Sequence, residues 1–193
     1  GSSKIRMISA VNSGFYNLLK LWPETWAVAT SYTLGDVIKP TIYASHSYKC
    51  TPAGTSHATT EPTWGITNGG TTTDGTAVFT CWDTRTYQIK APQASVLPYI
   101  TFGLLTETPI GTFDDFESIE NLTFWVNCFS DVSTADLAEI ADEVMDSLDD
   151  KTITVTGYTG MKVVREFISS PTWDSETNIY MLALRYRVWL DKT

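Results

Sequence analysis

Histidine is nearly absent from this 193-residue chain, and that scarcity removes much of enzymology. The two that occur, His46 and His57, fall in stretches that read as loops. Neither has a Ser-rich elbow or a recognisable Asp partner nearby, so no hydrolytic triad can be composed. Cysteine is scarce too: Cys50, Cys81 and Cys128 are an odd number with no metal-ligand spacing. They read as free thiols of a reducing cytoplasm, with a Cys50–Cys81 pairing left open. Asp114-Asp115 and Asp149-Asp150 lack the alternating acidic spacing and central glycine of a calcium loop. Gly69-Gly70 sits among threonines and serves a turn; no glycine-rich phosphate loop follows a strand. The expectation is a protein with no catalytic residues, no metal and no cofactor, hence not an enzyme.

Positive charge is the second deficit. Thirteen Lys and Arg stand against 22 Asp and Glu, giving a formal net charge of -9 and a pI near 4.6. Such a molecule repels nucleic acid and anionic membrane, which excludes DNA binding through an extended basic surface. DNA that passes by without specific binding is compatible with it. No apolar run approaches the roughly 18–20 residues of a membrane span. The basic, apolar, then small-residue order of a signal peptide is missing from the N-terminal stretch. Gly1-Ser2-Ser3 has the composition of a tag remnant and is set aside. At 42% hydrophobic and 18% charged residues the chain is ordinary for a folded protein.

What is present changes texture along the chain. Residues 3–21 put Ile8, Val11, Phe15, Leu18 and Leu19 on one helical stripe that Pro23 stops. Residues 24–86 then show no helical period. Trp26, Tyr32, Tyr48, Trp64 and Trp82 alternate there with turn signals such as Gly35-Asp36 and Asp74-Gly75, as a small β module requires. Its expected strands are 36–39, 47–50 and 77–82, with turns over 67–75. Residues 87–98 read as an extended linker, and Leu97-Pro98 leads into a strand.

Strands follow at 99–105 and 120–129, joined by a connector over 106–119 that is longer than a hairpin needs. A second helix is capped by Ser133 or Thr134, with Leu137, Ile140, Ala141, Val144 and Leu148 as its buried stripe. Its other faces are acidic, and Asp149 and Asp150 stand unfavourably at its negative end. Further strands are expected at 152–156, 162–170 and 178–190. In the last, Tyr180, Leu182, Leu184, Tyr186 and Val188 share one face, opposite Met181, Ala183, Arg185, Arg187 and Trp189. The order implies an α+β fold: a mostly antiparallel sheet with two packed helices, interrupted by an inserted small all-β module. The expected domains are 4–23 with 87–193, and 24–86.

The aromatic residues of the module admit two uses. Core is the favoured one, because a small domain must bury large side chains. Stacking on sugar rings is the other, with Tyr43 and Trp64 as candidates for glycan contact.

The outer parts, over about 4–22 and 87–193, hold an opening helix, Leu97-Pro98-Tyr99-Ile100, Phe124-Trp125-Val126-Asn127-Cys128-Phe129 before an acidic helix, and a closing strand that ends Arg187-Val188-Trp189. In this they resemble the tail-terminator (tail-completion) proteins of long-tailed bacteriophages. The module, through Trp26, Tyr32, Gly35-Asp36, Gly54-Thr55-Ser56, Glu61-Pro62-Thr63-Trp64 and Asp74-Gly75, resembles chitin-binding-like modules of phage structural proteins. The resemblance implies a virion protein assembled in the host cytoplasm and placed at the head-proximal end of the tail. Its partners would be itself in a homohexameric ring, the tail tube protein and the head-tail connector. Such a ring caps the tube, ends its polymerisation and offers the surface for head-tail joining. Glu107, Asp114, Asp115 and Glu117 are then candidates for a ring-interface or lumen loop past which genome DNA moves, with the module displayed outward. The rival readings are a head-tail connector of the neck and a decoration or host-glycan-binding protein.

Overall fold

Methionine 7, Val11, Phe15 and Leu19 recur every fourth residue, and all four are buried along one line of the first helix. This helix, α1 (Ser2–Leu19), ends as Leu21 N and Trp22 N bond back to Leu18 O and Leu19 O, tightening the last turn before Pro23. The stripe is rotated slightly from the one expected: Met7 is in the core, while Ile8 and Leu18 are half-buried at its margin. The set-aside serines Ser2 and Ser3 belong to the helix. In this computed structural model the described residues are 2–44, 46–83, 85–110 and 119–192. They form two compact units, Gly1–Trp22 with Thr86–Thr193, and Pro23–Arg85.

The first unit is built on a sheet whose long strands are β9 (Tyr99–Ile110), β10 (Ile119–Ser130), β11 (Tyr158–Ile168) and β13 (Ile179–Lys192). The order across it is β11-β13-β10-β9-β8, with β8 (Thr86–Gln88) parallel to β9 and every other pair antiparallel. Alternation decides which face is buried. β10 buries Leu122, Phe124, Val126 and Cys128; β13 buries Leu182, Leu184, Tyr186, Val188 and Leu190. The register sets Phe124 opposite Tyr186, and Phe15 of α1 stacks on Phe124 at 4.3 Å between ring centres. Each such fully buried side chain is worth about 1.5–3 kcal/mol relative to exposure.

Helix α2 (Thr134–Leu148) packs on β10 and β13, and buries the five residues expected, Leu137, Ile140, Ala141, Val144 and Leu148. Ser133 is its N-cap, the hydroxyl accepting Asp136 N at 3.1 Å. The unfavourable carboxylates at its other end are answered from β11. Arg165 reaches Asp149 at 3.1 Å and Lys162 reaches Asp150 at 3.3 Å. Both pairs are partly exposed, so they cancel a repulsion more than they add stability. Asp150 takes a left-handed φ of 60°, which turns the chain out of the helix.

Four expectations need correction. Residues 152–156 are not a strand; they meet β11 at the isolated bridges Thr152–Lys162 and Val155–Tyr158, and sink Ile153 and Val155 into the core. Gly160 makes that approach feasible, since a Cβ there would stand 1.9 Å from Ile153 O. The supposed linker contains β8, and the stretch before β13 contains β12 (Thr172–Asp174), each too short for a period to show. The connector is shorter than expected, because β9 continues to Ile110 and pairs with Ile119 of β10. Residues 111–118 lie outside the described set.

The second unit has a sheet ordered β1-β3-β4-β7-β6, with a separate pair β2-β5. Its strands are β1 (Glu24–Thr25), β2 (Ser31–Tyr32), β3 (Val37–Lys39), β4 (His46–Cys50), β5 (Gly54–Thr55), β6 (Thr71–Asp74) and β7 (Ala77–Asp83). Asp74-Gly75 does make a tight turn: Asp74 pairs with Ala77, and Gly75 has φ 62°. The strand before it, β6, lies within the stretch 67–75 where the sequence predicts turns. The core is Trp26, Tyr32, Ile38, Tyr48, Cys50, Ala77, Phe79 and Cys81, with Trp64 packed against it. Cys50, Cys81 and Cys128 are buried and none of them is in a disulfide. Burial, and then the Asp36 charge, push the Cys50 thiol up to about 11, so it is a poor nucleophile.

Candidate functional site

Each unit has its own candidate surface, and in the first unit it follows from how the sheet is clothed. The face bearing Phe124 and Tyr186 lies under the helices. The reverse face collects Tyr99, Trp125, Phe129, Met181, Arg185, Arg187 and Trp189, none of them fully buried. Trp125 lies across Gly103, where a Cβ would stand 2.7 Å from the indole ring. The Arg185 guanidinium lies 5.8 Å from the Phe167 ring centre and that of Arg187 lies 5.7 Å from Trp189, while Arg187 also pairs with Glu166. Phe167 is 50% exposed and Trp173 56%. Exposed Trp, Phe, Met and Arg with few acids is the composition of protein–protein contact surfaces. The sequence signal was there: the outward positions of β13 are Met, Ala, Arg, Arg and Trp rather than a plainly polar set. Phe167 and Trp173 gave no such signal, because the faces of β11 and β12 could not be assigned without their register.

The sheet also leaves an edge unfilled. β8 flanks β9 only at Ile100–Phe102. Among the described residues no strand lies beside β9 from Leu104 to Ile110 on the side away from β10. Leu105, at the irregularity opposite Thr123 and Phe124, is 51% exposed and Ile110 41%. Glu107 sits within this edge strand, paired with Leu122 and half-buried, rather than in a loop. Asp114, Asp115 and Glu117 fall outside the described residues.

In the second unit, Trp64 is half-buried. Its ring rests on Tyr48 at 4.4 Å and turns an edge to Phe79, and its Nε1 donates to Glu61 Oε1 at 2.8 Å. Thr41 N donates to the same oxygen at 3.0 Å and Thr41 Oγ1 to Oε2. Glu61 therefore ties the loop of Trp64 to the loop that continues to Tyr43, also half-buried. Trp26 is wholly committed to structure, its Nε1 donating to buried Asp74 at 2.7 Å. His57 Nδ1 accepts Thr59 N and Thr60 N, a turn-forming role, while His46 begins β4 instead of lying in a loop. No His, Cys, Asp or Glu group that could hold a metal occurs among the described residues, and no described helix is long and apolar enough to cross a membrane.

Glu61 yields a pH prediction. Burial works to raise its pKa, but the bonds from the Thr41 hydroxyl, the Trp64 indole and Thr41 N prevail and lower it. A carboxylate whose folded pKa is depressed contributes stability that is complete above its unfolded value, about 4.3. That contribution is lost as pH falls through the folded value. The melting temperature of the second unit should therefore drop below about pH 4, and Glu61→Gln should make the drop shallower. Melting curves between those limits check it; identical pH profiles for the two proteins would show that the clamp contributes nothing.

The family model described as tail completion protein gp17 matches residues 71–191, well over half the chain, from β6 through β13. No curated protein matches. Among solved structures, a chain described as "Virion of native gene transfer agent (GTA) particle" is similar at 14% identity, over 56% of this chain and 79% of its own, with a TM-score of 0.46.

Proposed function

This chain belongs to the tail completion protein gp17 family, and we propose that it closes into a ring of six on the last ring of the tail tube. It is a structural protein of the phage tail, and its family is not an enzyme class. In the proposed role the ring ends tube polymerisation at the head-proximal end and presents the surface to which the head connector joins. The observation that carries the ring is the open edge of β9. From β11 to β9 the long strands alternate in direction. A second copy related by rotation about an axis along the strands would set its β11 antiparallel to this β9, continuing the pattern. Head-to-tail contacts of that kind close rings, whereas a two-fold contact stops at a dimer. Glu107, with Asp114, Asp115 and Glu117, is assigned to the lumen side, where carboxylates repel phosphates and let DNA pass.

Micrographs of particles made without this protein test the reading: overlong tails, unattached to heads, are expected. Tails of normal length would overturn it and point instead to a connector of the neck. Leu105→Lys gives a finer check. An exposed charge on an edge strand blocks pairing and should leave stability within about 0.5 kcal/mol. Assembly of the variant at high concentration should fall at least tenfold by sedimentation velocity, about 1.4 kcal/mol of pairing. Undiminished assembly would free β9 from the interface.

A further inference from the structure

On the helix-free face, four strands bring one row of side chains level: Tyr99 of β9 opposite Phe129 of β10, Phe129 opposite Met181 of β13, and Met181 opposite Thr172 of β12. The row floors a pocket of about 310 Å³, walled further by Trp173, Asp174, Thr177 and Ile179. Tyr99 and Phe129 meet at 5.1 Å and 38°. Trp173 stands largely exposed at the side. Three aromatic rings and one carboxylate thus share a single cavity, with no basic side chain in its lining.

We propose that this pocket receives an arginine or lysine side chain from a different, basic protein of the particle. Aromatic faces carry negative potential and attract cations, most strongly where water is thinned. Asp174 adds a full charge, fixed in direction because Oδ1 accepts Glu176 N at 2.9 Å and Oδ2 accepts Thr177 Oγ1 at 2.7 Å. Those same bonds hold the carboxyl below its usual range, so it is ionised wherever the protein is folded near neutrality. An anionic group would be repelled. A purely apolar anchor would use the rings and leave the carboxylate idle. The volume suits one long side chain rather than a cofactor, lying at the small end of ligand pockets. The chain's net charge of -9 disfavours a second copy as the source and favours a basic stranger. None of this requires the ring.

The test uses the full chain with ¹⁵N-labelled indoles and ¹³C-labelled tyrosine rings, the Trp173 and Tyr99 resonances being assigned from Trp173→Phe and Tyr99→Phe. The probes are the capped tripeptides Gly-Arg-Gly, Gly-Lys-Gly and Gly-citrulline-Gly, citrulline being the neutral shape of arginine. Arginine and lysine peptides should move the Trp173 signal, with citrulline at least fivefold weaker. Asp174→Asn should weaken the arginine peptide about three- to tenfold, and Trp173→Leu, which keeps apolar volume, by a similar factor when read at the Tyr99 ring. Equal binding of citrulline would make the pocket merely apolar and overturn the proposal. So would silence to all three peptides at tens of millimolar. A Trp173 shift that appears on concentrating the protein alone, and vanishes in Asp174→Asn, would make a second copy the occupant and overturn it equally.

Discussion

Phe15→Ala should remove about 4 kcal/mol from the unit that holds both helices, the middle of the range for a buried phenylalanine. Phe15 is fully buried, stacked on Phe124, 5.7 Å from Phe102 and edge-on to Tyr186 at 6.2 Å. Those three rings come from three different strands, and a Phe15-sized void among them cannot be closed by one side chain moving. The lost terms are apolar burial, ring–ring attraction of about 0.5–1.5 kcal/mol per pair, and the void itself. Against a total of about 5–15 kcal/mol for a domain, the loss is a large share. Urea unfolding followed by far-ultraviolet circular dichroism would show an early loss of helix. Phe15→Leu, which keeps most of the volume, should cost less than half as much. A cost for Phe15→Ala below about 1 kcal/mol would mean that α1 is not held by this contact.

Asp74→Ala should be as damaging in the second unit, for a polar reason. Asp74 is buried, and it accepts Trp26 Nε1 at 2.7 Å and His57 N at 3.0 Å. Bonds to a charged acceptor are worth about 1.5–3 kcal/mol each, and stranding both donors away from water costs a similar amount. About 4 kcal/mol is expected, which a small unit with one core cannot spare. Asp74→Asn retains one acceptor and should lose roughly half of that. We further expect the two lesions to separate: Phe15→Ala should leave the second unit's near-ultraviolet aromatic signal intact, and Asp74→Ala should leave the helix signal intact. One shared transition that moves equally with either change would show that the units do not fold independently.

How much of this was written in the chain itself depends on how local the cause was. The stripe of α2 and its Ser133 cap were readable because a helix repeats its buried face within its own residues, and a cap acts three residues away. The alternation of β13 was readable for the same reason, with fourteen residues to display it. The Asp74-Gly75 turn needed only two. Where an element was short, the signal failed: β8 and β12 hold three residues each and exist because β9 and β13 offer them a partner. In α1, Val11, Phe15 and Leu19 were readable, whereas the choice of Met7 over Ile8 is made by what the helix packs on.

Composition decided the sign of the molecule's charge. It also made the aromatics of residues 24–86 look like core, and Trp26, Tyr32 and Tyr48 are core. Tertiary structure alone decided that, among the described residues, β9 outruns β8 and leaves an edge, since an edge is defined by what does not lie beside it. It alone brought Tyr99, Phe129 and Trp173 around one cavity with Asp174, because strand register, which no single strand encodes, sets which distant residues stand level.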